Sequence, residues 1–70
     1  MSASILHLSL DYLALTRVNI ARTKQRIARQ REIVDALSQK GYSTRQATRL
    51  LENLTGTLRA YEAILHRRKG

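Results

Sequence analysis

Apolar residues recur every seven positions through the first half of the chain, and this row ends at a glycine. The row consists of Leu6, Leu13, Ile20, Ile27 and Val34, and the next step of seven reaches Gly41. A second row follows the glycine and consists of Ala47, Leu51, Leu54, Leu58, Tyr61 and Leu65. Steps of three, four and seven residues stay on one side of an α-helix. The pattern therefore predicts two amphipathic helices separated near Gly41.

The two rows predict an all-α fold, an antiparallel two-helix hairpin that dimerises into a four-helix bundle. We expect a single domain over residues 1–70, with an apolar overhang at 1–10, helix one at 11–40, a turn at 41–43 and helix two at 44–68. With the turn near Tyr42, the numbers of facing residues sum to about 84. This register sets Ile27 opposite Leu58 and Ile20 opposite Ile64 or Leu65.

The residues around Gly41 resemble the end of one helix and the start of the next. Gly41 can adopt the left-handed conformation that closes many helices. Ser43 is followed three residues later by Gln46, which is the spacing of a capping box with Ser43 as the N-cap. Tyr42 would then pack on Ala47 as a hydrophobic staple.

Two different rows flank the apolar row of helix one, and they allow two arrangements. Alanines lie on one side, at positions 14, 21 and 28, and polar residues lie on the other, namely Thr16, Thr23 and Gln30. Either the buried face shifts toward the alanines, or the polar row is buried. We favour the shift, because a buried hydroxyl or amide without a partner is costly.

The overhang belongs to the most apolar stretch of the sequence, and helix two is too short to cover it. As a helix it continues the heptad row, and as a strand it alternates apolar and polar residues. We favour a helix, because the spacing of seven runs through it. An exposed apolar segment implies a partner. The predicted oligomer contacts are Leu6, Leu8, Leu10, Leu13 and Ile20.

Composition excludes several classes of function. A chain of 70 residues buries only about 60% of its unfolded surface and is marginally stable alone. Cysteine is absent, and His7 and His66 lie near opposite ends, so the sequence has no disulfide, thiolate or metal motif. Asp11 lies four residues after His7, which fits a helix-end ion pair better than a catalytic dyad. We expect a non-enzymatic protein without a cofactor.

The sequence also bears on location, and we expect a cytoplasmic protein. The run from Ile5 to Leu15 contains His7 and Asp11 and is too short to span a bilayer. No positive charge precedes it, which argues against a secretory signal. The first 31 residues are rich in arginine and poor in acid, as transit peptides are, but the heptad row continues from them into the rest of the fold.

Positive charge dominates the sequence, with 13 basic and 5 acidic residues and a net charge of +8. A helical wheel places Arg22, Arg26 and Arg29 together, opposite the apolar row. With Arg67 and Arg68 they form a candidate contact for a polyanion such as nucleic acid. The alternative is a solvated helix face. We also expect Glu62 to lie near Arg22 or Lys24.

Motifs between residues 20 and 61 resemble a known group of proteins. The first helix carries Ile27-Ala28-Arg29-Gln30-Arg31 followed by Val34, the turn reads Gly41-x-x-Thr44, and the second helix carries Ala47-x-x-Leu50-Leu51-x-x-Leu54-x-x-Thr57-Leu58. The spacing is similar to that of short, uncharacterised bacterial helical-hairpin proteins. The resemblance implies a helical hairpin and no particular reaction. The basic bias and the overhang depart from the group's pattern.

These observations favour a small helical hairpin that self-associates and serves as an interaction or regulatory module, with a second protein as a candidate partner. The first alternative is a nucleic-acid-binding hairpin dimer that uses the arginine face. A second alternative is peripheral attachment to an anionic membrane through the apolar overhang and the arginines next to it.

Overall fold

The computed structural model consists of two α-helices that pack side by side as an antiparallel hairpin. Helix α1 spans Ser2–Gln39 and helix α2 spans Arg45–Lys69. The structure describes the backbone of residues 2–69 and the side chains of residues 11–67, and no strand occurs in that part of the chain. The predicted all-α two-helix hairpin is confirmed. The backbone of residues 2–10 continues α1, so this stretch of the overhang is helical.

The two helices differ in length, and the molecule is therefore elongated. Helix α1 has 38 residues and α2 has 25, a difference of 13 residues. At about 1.5 Å per residue, this difference leaves about 20 Å of α1 without α2 beside it. The principal extents are 59 × 17 × 15 Å. The hairpin is thus a rod in which one end is a single helix.

Gly41 lies in the turn, which begins at Lys40, one residue earlier than predicted. The φ angle of Gly41 is +77°, which lies in the left-handed region. The amide of Gly41 donates to the carbonyl of Ser38 (3.0 Å), and the amide of Tyr42 donates to the carbonyl of Leu37 (2.9 Å). These two hydrogen bonds form a Schellman motif, which satisfies carbonyls that the end of a helix leaves unpaired.

The start of α2 differs from the prediction by one residue. The carbonyl of Thr44 accepts the bond from the amide of Thr48 (2.8 Å), so Thr44 is the N-cap rather than Ser43. The Ser43 hydroxyl accepts from the amide of Arg45 at 3.4 Å, which is a long hydrogen bond. With this shift Gln46 is no longer at the capping-box position. Tyr42 is 63% exposed, so it does not pack as a staple.

The buried face of α1 is the polar row, and our prediction of a shift toward the alanines is wrong. Thr16, Thr23 and Gln30 are 4%, 6% and 8% exposed, whereas the alanines at 14, 21 and 28 are all exposed. Among the described members of the apolar row, from Leu13 to Val34, only Ile27 reaches the same depth, at 6%. The most buried described residues of α1 are therefore two threonines, one isoleucine and one glutamine.

Hydrogen bonds explain why burying this polar row is not costly. The Thr16 hydroxyl donates to the carbonyl of Tyr12 (2.8 Å), and the Thr23 hydroxyl donates to the carbonyl of Asn19 (2.7 Å). Both bonds lie within α1 and join residues four apart. Each threonine therefore satisfies its own donor and behaves as an apolar residue toward α2. The penalty for an unpaired buried hydroxyl does not arise.

We expect opposite effects from alanine at Gly41 and at Gly56. Gly41→Ala should lower the free energy of unfolding by about 1–2 kcal/mol, because a Cβ disfavours a positive φ. Gly56→Ala should raise it by up to about 1 kcal/mol, because alanine is the better helix former, and a Cβ there meets no atom within 4 Å. Melting temperatures followed by circular dichroism should move in opposite directions, by roughly 4–8 °C per kcal/mol. Equal shifts would contradict the turn described above.

A second pair of variants tests how Thr23 contributes to the buried face. Thr23→Val keeps the branched shape and replaces the hydroxyl with a methyl group, so it should leave stability unchanged or raise it by up to about 1 kcal/mol. Thr23→Ser keeps the hydroxyl and removes the methyl group, so it should lower stability by about 1 kcal/mol. Denaturant unfolding of both variants measures the difference. The reverse order would show that the hydroxyl, rather than the methyl group, stabilises this position.

Candidate interaction surface

The hairpin exposes more surface than a compact protein of its mass. Its accessible surface is 5980 Å², whereas a compact monomer of 8.0 kDa exposes about 4,450 Å². The radius of gyration is 16.7 Å, against about 11 Å for a compact domain of this length. Each helix of the hairpin packs against one neighbour and is exposed on its other sides. This geometry produces the excess area of about 1,500 Å².

Exposed apolar side chains form two groups at different places along the rod. Tyr12, Leu15 and Val18 are 45%, 58% and 45% exposed, and we call this group the overhang base. Ile33 and Leu50, at 40% and 48% exposed, lie nearer the turn. None of these residues belongs to the rows that predicted the helices. Their exposure follows from their position beside the helix-helix contact.

The predicted oligomer contacts are only partly described by the structure. Leu13 and Ile20 are half-buried, so the hairpin itself covers part of each side chain. The side chains of Leu6, Leu8 and Leu10 lie outside the described residues. The overhang base is adjacent to Leu13 in the chain, and none of its three residues was among the predicted contacts, although Tyr12 and Leu15 belong to the apolar stretch that predicted a partner. The helical wheel places Leu15 and Val18 off that row, where a lone helix pair leaves them exposed.

The second exposed apolar group forms a groove along one side of the hairpin. Ile33 of α1 and Leu50 and Leu54 of α2 supply its apolar lining, and Gln30, Arg26 and Arg29 complete it. The Gln30 side-chain amide donates from Nε2 to the carbonyl of Ala47 across the two helices (3.0 Å). Because this bond occupies the amide, the floor of the groove has no unpaired buried polar atom there. The groove has a volume of about 270 Å³.

The predicted arginine face is partly brought together by the structure. Arg22, Arg26 and Arg29 line one shallow depression, and Gln25, Ala28 and Glu32 line the remainder. All three arginines are exposed. Arg67 is exposed on α2 and does not line this depression, and the side chain of Arg68 lies outside the described residues. Sequence reasoning therefore located the trio, whereas the basic end of α2 is a separate feature.

Arg26 and Arg29 line both the groove and the depression that also contains Arg22. They therefore form a ridge between the two surfaces. The ridge runs parallel to the groove, because residues three apart lie about one helical turn from each other. An object in the groove would contact apolar side chains on one flank and guanidinium groups on the other.

The opposite side of the hairpin has a mixed charge. Lys24 and Glu62 line a depression there together with Ile20, Leu65 and His66. The predicted proximity of Lys24 and Glu62, and of Ile20 and Leu65, is confirmed. Nearer the turn, Arg45, Arg49 and Glu52 share another depression. The groove differs from these two depressions because both of the charged residues that line it, Arg26 and Arg29, are cationic.

The described part of the chain offers neither a cluster of metal ligands nor a membrane span. It holds no cluster of three or more side chains of the kinds that ligate metals. Neither helix, over its described residues, has a stretch long and apolar enough to cross a membrane.

Comparisons with protein-family models, with curated proteins and with solved structures gave no match. The resemblance to bacterial helical-hairpin proteins therefore stays a prediction.

Proposed function

We propose that the protein is a self-associating interaction module whose dimer is a four-helix bundle. The observation that carries this proposal is the excess of exposed surface over that of a compact monomer. A typical stable interface covers about 800 Å² on each partner, which is about half of the excess. Of the described hydrophobic side chains, only Ile27 is buried by the hairpin. A second chain would supply the missing burial.

The overhang base is the part of the surface best suited to contact a second copy. Residues 1–21 carry only Asp11 and Arg17 as fully charged residues, so two copies can meet there with little repulsion. Asp11 and Arg17 cancel, so the remainder of the chain carries the whole net charge of +8, and like charges oppose association. Two hairpins that overlap along α1 would place each overhang against the partner chain, as in a four-helix bundle.

Sedimentation equilibrium at micromolar concentration should show a dimer. The double variant Leu15→Gln, Val18→Gln should weaken dimerisation by about tenfold or more, because each apolar contact is lost in both chains. Glutamine is a good helix former, so helicity should be retained. The control is Ile33→Gln, Leu50→Gln, which changes two other exposed apolar residues, 40% and 48% exposed, and should shift the dissociation constant by less than about twofold.

Two outcomes would contradict this proposal. A cooperative wild-type monomer would show that the hairpin needs no partner. A larger loss of dimer from the control pair than from the overhang base would place the contact at the groove. Removal of residues 1–12 gives an independent check, because it should also weaken the dimer.

Nucleic-acid binding is the second candidate, and the gathering of Arg22, Arg26 and Arg29 in one depression favours it. The three residues span two helical turns, about 10 Å, and guanidinium groups suit phosphate. Glu32 in the same depression reduces the positive charge. No aromatic side chain lines that depression for stacking on bases. The arginine face therefore supports contact with the phosphate backbone without base recognition.

Salt dependence tests this second candidate. If the three arginines contact phosphates, duplex DNA binding should weaken steeply with salt, and changing all three to glutamine should reduce the slope of log K against log salt by about two to three. Oligomer size should not change. Affinity weaker than about 10⁻⁴ M at physiological salt would identify the arginines as a solvated surface.

A further inference from the structure

We propose that the groove formed by Ile33, Leu50 and Leu54, with Arg26 and Arg29 at its rim, binds an amphipathic helix that carries acidic residues and belongs to another protein. This site is separate from the overhang base. It gives the interaction module a partner-binding surface in addition to its self-association contact, and the two can be tested independently.

The shape and lining of the groove suit the apolar face of a helix. Two helices that pack side by side leave a lengthwise furrow between them, and a third helix can place side chains at i, i+3, i+4 and i+7 into it. Ile33 and Leu50 are each nearly half exposed, although they are large and apolar. Covering them removes apolar surface from water, which favours binding by about 25 cal/mol per Å².

The charge at the rim determines the kind of helix. Arg26 and Arg29 lie three residues apart on α1 and are both exposed, and neighbours at this spacing are about 5–6 Å apart on a helix surface. Two carboxylates three or four residues apart on an incoming helix have the same spacing. Arginine pairs well with carboxylates, because its planar guanidinium can donate two parallel hydrogen bonds. An acidic flank beside the apolar face therefore complements this groove.

Other occupants fit the groove less well. Small-molecule sites usually enclose about 300–1,000 Å³, whereas this groove is open and has a volume of about 270 Å³. A second copy of the chain would bring a net charge of +8 toward the same arginines. Nucleic acid would satisfy the arginines but would not use the apolar lining, which includes no aromatic residue.

The test uses a fluorescein-labelled synthetic peptide of about eighteen residues, long enough to form a helix on binding. Leucines at i, i+4, i+7 and i+11 form its apolar face, and glutamates beside them form its acidic flank. Fluorescence anisotropy with the full chain should give saturable binding. A peptide of the same composition with its order permuted, so that the leucines scatter around the helix, should bind at least about tenfold more weakly.

Matched variants separate the groove from general charge attraction. Arg26→Gln, Arg29→Gln should weaken binding by about tenfold or more, whereas Arg45→Gln, Arg49→Gln, with the same change in net charge, should weaken it by less than about threefold. Leu50→Gln should also weaken binding by about tenfold or more. Circular dichroism of each variant verifies that the hairpin is retained.

The outcomes distinguish this proposal from self-association. Leu15→Gln, Val18→Gln should still bind the peptide with unchanged affinity, even if it no longer dimerises. Equal binding of the permuted peptide, or equal losses from the two arginine pairs, would overturn the proposal and leave only nonspecific attraction. If Leu50→Gln changed dimerisation and left peptide binding intact, the groove would instead accommodate a second copy. If duplex DNA displaced both the original peptide and the permuted peptide from the wild-type protein, the arginines would be a phosphate site.

Discussion

The hydrogen bond from the Gln30 amide to the Ala47 carbonyl constrains how the two helices sit against each other. It joins α1 to α2 at 3.0 Å, and Gln30 is only 8% exposed. Apolar contacts are non-directional and tolerate sliding, whereas a buried amide that loses its acceptor costs free energy. A displacement of α2 along α1 would leave the amide unpaired. One directional contact thus gives the helix pair a defined register, as a buried asparagine does in coiled coils.

Much of the fold could be predicted from sequence because it depends on local chemistry. The heptad row and Gly41 predict two helices and a break, and the left-handed φ of Gly41 follows from the absence of a side chain. The face of α1 that is buried could not be predicted in the same way. Residue type marks Thr16 and Thr23 as polar, but their hydroxyls bond within their own helix, and only the structure shows that their polarity is already satisfied.

The candidate surface also has one part that could be predicted from sequence and one part that could not. The proximity of Arg22 to Arg29 could be predicted, because both residues lie on one helix and its period determines their spacing. The groove could not, because it requires the rotation of α2 relative to α1, which brings Leu50 beside Ile33. A sequence pattern identifies which residues share a helix face. It does not identify which side of a helix pair remains open, because side-chain packing determines the final rotation of one helix relative to the other.

The antiparallel turn also orders the helix-helix contacts by distance along the chain. Gln30 and Ala47 are 17 residues apart, whereas Ile20 and Leu65, at the far end of the contact, enclose a loop more than twice as long. Loop closure becomes more costly with length, so pairing that starts at Gly41 and proceeds outward is entropically cheapest. The hairpin would then close like a zipper, and residues near Ile20 would be the last to pair during folding and the first to separate during unfolding.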